Sequence, residues 1–247
     1  MPFDYLEGHF LISQTMKKLL LLTITPFLFF FANSQTYKNP IASKQSHPEL
    51  KITRIEITEN NTIVSLEVTN KRTVGGWFCA NSDIFLKNSK RTETYQLIKS
   101  ENIPTCPDQY EFSSVGETLA FKLYFPSIDQ DIKFIDLVEN CTNACFSFYR
   151  IILDNQHNQK IRAFEKGFDL YQENNLKESA TYFEEVTQGK SSIDSHIYGL
   201  SHYYLILIYH ELDDTSKVEF WYKNLINSDF KDKNTFVKEL DKLGIKK

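Results

Sequence analysis

The chain has 247 residues, room for one large domain or two modest ones. Its 28 Lys and Arg stand against 32 Asp and Glu, a formal charge of −4, which excludes a nucleic-acid binder that relies on bulk positive charge. With 41% apolar residues, 20 Phe and 13 Tyr it can bury a core, and with only 8 Gly and 7 Pro it is neither collagen-like nor low-complexity.

The N-terminal stretch reads as an address. From Met16 the chain runs MKKLLLLTITPFLFFFANSQ: a positive start at Lys17 and Lys18, an apolar run over Leu19–Ala32, then Ala32-Asn33-Ser34 with small residues at the −3 and −1 positions of a cleavage site. A secretory signal peptide is expected over 1–34, with Met16 as the true start. The competing reading, an uncleaved anchor, is disfavoured because the run is short of the about 20 residues a span needs. No Cys follows the run, which disfavours a lipid anchor. The mature chain is expected to begin at Gln35, with no stable membrane span, in the periplasm or outside the cell.

Residues 35–49 (QTYKNPIASKQSHPE) are polar and aperiodic, so a flexible leader is expected there. From 50 to 153 the pattern is that of strands. Val64, Leu66 and Val68 alternate with polar residues, as do Leu119, Phe121, Leu123 and Phe125. Phe146, Phe148 and Ile152 share one parity. Period-2 alternation marks strands with one buried face. Turn signals separate them at Glu59-Asn60-Asn61, Gly75-Gly76, Pro104, Gly116 and Pro126-Ser127. Roughly seven or eight short strands in about 100 residues suggest an antiparallel immunoglobulin-like β-sandwich.

All four cysteines, Cys79, Cys106, Cys141 and Cys145, fall in this region. An even count in an exported chain reads as disulfides. Of the three possible pairings, Cys79–Cys106 with Cys141–Cys145 is favoured. In the chain-entropy picture the first contributes about 3–4 kcal/mol and the second about 2.

Beyond residue 157 the period becomes helical. Ile161, Phe164, Phe168 and Tyr171 mark a first helix; Leu176, Ala180, Phe183 and Val186 a second; Tyr198, His202, Leu205 and Tyr209 a third. Val218, Trp221, Tyr222, Leu225 and Ile226 mark a fourth, with Asp213-Asp214-Thr215 as its cap. Phe236, Leu240 and Leu243 form a last amphipathic piece ending at Gly244. The fold class expected is α+β in two domains, a sandwich over 50–153 and helical hairpins over 157–247.

The stretch 167–186 (GFDLYQENNLKESATYFEEV) resembles a tetratricopeptide repeat, with Gly167 and Ser179–Ala180 near its small-residue positions and Phe183 at the following aromatic. Residues 201–226 align as a second copy, in which His202 replaces the usual Trp, Ile206 and Val218 replace small residues, and Tyr222 matches Phe183. Phe183 and Tyr222 are 39 residues apart where the family repeats every 34. The extra residues fit 188–194. The runs 117–129, 133–140 and 146–153 likewise resemble the last strands of a small β-sandwich found ahead of other modules in exported bacterial proteins. The repeat resemblance implies a concave surface at Phe164, Phe168, Tyr171 and Gln172 of the first copy and at Tyr203, Leu207, His210 and Glu211 of the second. Aromatics with a few polar groups suit a groove for a peptide or helix. The alternative is that these aromatics are core.

Catalytic signatures are lacking: the sequence holds no GxSxG, HExxH, P-loop or GxGxxG. No two of the six His stand at i, i+4, so neither metal nor cofactor is expected. The leading expectation is a non-catalytic adaptor whose helices bind a protein or peptide. The alternative is a sandwich that recognises a small ligand or glycan through Trp77, which requires Trp77 to be exposed.

Overall fold

The computed structural model describes residues 34–90, 92–189, 193–230 and 232–245; the expected signal segment, Met16 included, lies outside them but for Ser34. The strands are β1 (Gln35–Lys38), β2 (Ala42–Gln45), β3 (Leu50–Ile57), β4 (Asn61–Thr69), β5 (Trp77–Phe78), β6 (Ile84–Asn88), β7 (Thr94–Gln96), β8 (Lys99–Glu101), β9 (Tyr110–Glu111), β10 (Thr118–Pro126), β11 (Phe134–Glu139) and β12 (Ser147–Ile152). Five helices follow: α1 (Asn155–Gln172), α2 (Leu176–Thr187), α3 (Ile197–Glu211), α4 (Thr215–Asn227) and α5 (Lys233–Lys242). The class is α+β, antiparallel sheets first and helices second.

Two five-stranded sheets, ordered β1-β3-β4-β10-β8 and β2-β12-β11-β6-β7, share one core. The clearest sequence alternations build its centre. Val64, Leu66 and Val68 of β4 lie buried beside Leu119, Phe121, Leu123 and Phe125 of β10. From the second sheet Leu86, Leu137, Phe148 and Ile151 close the core. β5 and β9 form a small separate pair at one end. Both favoured disulfides are present: Cys79–Cys106 and Cys141–Cys145, with Cα separations of 5.4 and 5.6 Å.

The expected leader is corrected by the structure. Residues 35–45 form β1, an edge of the first sheet, and β2, an edge of the second. The chain crosses between the sheets through Asn39, whose φ is +45°, and Pro40. Edge pairing needs only alternate backbone partners and one apolar anchor, here the buried Tyr37, so polar composition does not forbid it. On the other side β7 and β8 make the same crossing through Leu97 and Ile98, whose amides donate to Ile84 and Tyr124.

This corner is also where the helices attach. Asp154 caps α1, accepting from the His157 amide at 2.9 Å. The Asn155 side chain accepts from the Lys38 amide and donates to the Thr36 carbonyl. Asn158, fully buried, accepts from the Ile41 amide at 3.1 Å and donates to the Ile152 carbonyl at 2.9 Å. Arg162 donates to the Asn39 carbonyl. Ile41, Phe134, Ile152, Ile161 and Ile193 form an apolar cluster around these bonds.

Candidate functional site

Within the helical region α1 packs on α2, α2 on α3, and α3 on α4 and α5. Local chemistry explains the tight α1–α2 contact. A Cβ on Gly167 would stand 3.2 Å from the Tyr182 Cβ and 3.3 Å from the Phe183 ring, so a side chain there would push the helices apart. The Ser179 hydroxyl, buried, donates to the Gly167 carbonyl at 2.7 Å. Lys160 secures the far end of α2: its ammonium, buried, donates to the carbonyls of Val186 (2.7 Å), Gly189 (2.9 Å) and Gln188. A cation at a helix C-terminus meets both its free carbonyls and its dipole.

The eight residues expected to bind a partner lie on α1 and α3, and none belongs to the fully buried core. Phe164, Phe168, Tyr171, Tyr203 and Leu207 are half-buried; Gln172, His210 and Glu211 are exposed. The four aromatic ones converge on Tyr204, which sequence reasoning passed over. The Tyr204 ring stands 6.3, 5.5, 5.2 and 5.7 Å from the rings of Phe164, Phe168, Tyr171 and Tyr203. It also stacks on the buried Phe183 at 5.1 Å. Alignment of the two copies by offset singled out Tyr203; its neighbour, a third of a helical turn away, faces α1 and α2. From α5, Phe236 extends the aromatic row to Tyr203 at 5.8 Å.

The phenols here are held neutral. The Tyr171 hydroxyl donates to Glu211 Oε1 at 3.0 Å and is pushed up to about 12, first by burial and then by that bond. Burial raises Tyr203 and Tyr204 as well. The face is therefore a row of neutral aromatic rings bordered by the Glu211 carboxylate.

His202, matched to the repeat's Trp position, lies buried between Trp221 (5.5 Å) and Phe230 (5.2 Å), and its Nδ1–H donates to the Tyr198 carbonyl. His210 is exposed on the aromatic face. At the other end of α3, His196 pairs with Asp232 beside a pocket of 140 Å³ that Ser195 also lines. The His196–Asp232 pair ties α3 to the start of α5, and among the described residues no hydrogen bond joins the Ser195 hydroxyl to His196.

The sandwich carries a second concavity. A pocket of 360 Å³ opens at the end that holds both disulfides, lined among others by Glu49, Arg72, Trp77, Gln109 and Glu139. Along β5 the side chains alternate: Phe78 turns inward onto Phe121 (5.9 Å) and Phe146 (6.1 Å), and Trp77 turns outward, 48% exposed. Glu139 is buried, its two oxygens accepting from the amides of Asn81 (2.7 Å) and Phe146 (3.0 Å). Burial raises its pKa, with those two bonds opposing. Trp77 was legible from its Gly-Gly turn; Glu49, Arg72, Gln109 and Glu139 come from separate segments of the chain and carry no local signal.

Among the described residues no helix is long and apolar enough to cross a membrane. No family model matches the chain, and no curated protein or solved structure matches it.

Proposed function

We propose that the chain is a non-catalytic adaptor of an oxidising compartment outside the cytoplasm. Its helices, built like tetratricopeptide hairpins, hold a segment of a protein partner. The sandwich, of immunoglobulin-like type, is the platform. One observation carries the reading: the aromatic row of α1 and α3 stays half-open although every residue beneath it is packed. Phe164, Phe168, Tyr171 and Tyr203 touch one another's neighbours rather than the sandwich. The close approach at Gly167 and the alternating helix pairing support the repeat-like reading. The two disulfides support the compartment.

The segment bound is apolar with a basic residue, the charge that Glu211 complements. Aromatic anchors at the centre of an interface are where binding energy concentrates. The test is capture from the native envelope with the wild type, with Glu211→Lys and with Lys223→Ala on α4. Loss of a discrete partner in Glu211→Lys and its retention in Lys223→Ala supports the reading. An unchanged partner set in both variants overturns it.

A further inference from the structure

We infer that the pocket at the disulfide end of the sandwich is a binding site for a neutral sugar unit, with the Trp77 indole as its stacking platform. Its 360 Å³ falls within the range of small-ligand sites, roughly 300–1,000 Å³. The proposal is independent of the helical face, which lies on other elements.

Four observations carry it. First, the platform is held rigidly in place before any ligand arrives. A Cβ on Gly76 would stand 2.3 Å from Asn70 Oδ1, and the Gly76 carbonyl accepts from the Phe112 amide at 2.8 Å. The buried Asn70 amide in turn donates to the Ser114 and Arg72 carbonyls and accepts from the Arg72 amide. The Cys79–Cys106 disulfide follows two residues later. A site that need not be ordered on binding loses less affinity to entropy.

Second, Trp77 exposes an aromatic face in a wall that mixes apolar groups with the polar side chains of Glu49, Arg72 and Gln109. The C–H face of a pyranose covers an indole, and exposed Trp otherwise has little reason to stand outside a core. Third, the side chains of Glu49, Arg72 and Gln109 make no hydrogen bond or ion pair among the described residues. Carboxylate, guanidinium and amide are planar groups that engage neighbouring hydroxyls two at a time. Fourth, no single charge is left to dominate the pocket. Arg72 faces the same space as Glu49, and the third charge-bearing group of the lining, the buried Glu139, already accepts from two backbone amides, so neither an anion nor a cation is favoured over a neutral polyol.

The protein has two tryptophans, Trp77 and Trp221, which makes the test direct. The chain carrying Trp221→Phe reports Trp77 fluorescence alone. It is titrated with neutral hexasaccharides of glucose, mannose, galactose, xylose and N-acetylglucosamine, and with a polyuronate. The expected result is a saturable blue shift with at least one neutral oligosaccharide. By isothermal titration calorimetry with that oligosaccharide, Trp77→Ala should then weaken binding about tenfold or more, and Gln109→Ala should weaken it less, both with unchanged circular dichroism. A flat response to every neutral sugar overturns the proposal. So does binding that survives Trp77→Ala, or a response to the polyuronate alone that salt abolishes.

Discussion

Ala144 closes the four-residue step between Cys141 and Cys145 with φ at +58°, in the left-handed region. An L side chain there costs roughly 1–2 kcal/mol, and glycine does not bear that cost. Ala144 is exposed. Ala144→Gly should therefore stabilise the chain by about 0.5–1 kcal/mol, less than the full strain because the unfolded glycine is more flexible; chemical denaturation of the oxidised protein measures it. Lys160 sits at the opposite extreme. Its three carbonyl partners have no other donor among the described residues, so Lys160→Met should cost about 2–3 kcal/mol and loosen the end of α2 first, which hydrogen exchange at Val186–Gly189 would show. Neither role was visible in the sequence, where Lys160 reads as one more charged residue on a helix.

Among the elements, α1 and α3 carry the most tertiary information. Asn158 joins α1 to the β1–β2 crossing and to β12 at once, through a buried side chain with both ends engaged. Asn158→Ala leaves the Ile41 amide and the Ile152 carbonyl without that partner, and should cost about 2–4 kcal/mol. A drop in the unfolding midpoint checks it.

In α3, burial lowers the pKa of His202, and burial also lowers His157 on α1, with Asp154 opposing and Lys160 assisting. Both are less basic folded than unfolded. As pH falls through about 6.5 the unfolded chain takes up the protons first, so stability is full above that value and declines below it. Melting should be lower at pH 5.5 than at pH 7.5, and His202→Gln should shrink the difference. An unchanged difference would mean that His202 is not a source of it.

The helical and long-strand elements were legible because their periodicities run for several turns or pleats. β10 buries each of Leu119, Phe121, Leu123 and Phe125, and the cap at Asp214 accepts from the Lys217 amide as its sequence suggested. Where the pattern failed, a local irregularity was the cause. In β12 the parity of Phe146 and Phe148 was expected to continue to Ile152. Arg150 adopts φ +51° opposite the shift in register between Ile135 and Leu137, and both Ile151 and Ile152 end up buried. β5, β7, β8 and β9 are two or three residues long, too short for alternation to register. The leader became strands because its pairing is carried by backbone, which composition does not encode.

For the whole molecule, the sandwich and helices form one compact unit, joined at the β1–β2 corner by backbone-directed asparagines and an apolar cluster. The eight residues proposed to bind a partner were named from the resemblance to a helical repeat; that four of them, Phe164, Phe168, Tyr171 and Tyr203, gather around Tyr204 was not legible, because that convergence depends on how α1 and α3 pack. The central claim is that this face receives a protein segment. The direct measurement is site-specific photocrosslinking in the native envelope, with the crosslinker at exposed Gln172 or His210 and, as a control, at exposed Lys223. The expected result is one discrete adduct to the same partner from positions 172 and 210 and none from 223. The absence of an adduct from 172 and 210, or the same adducts from all three positions, would contradict it.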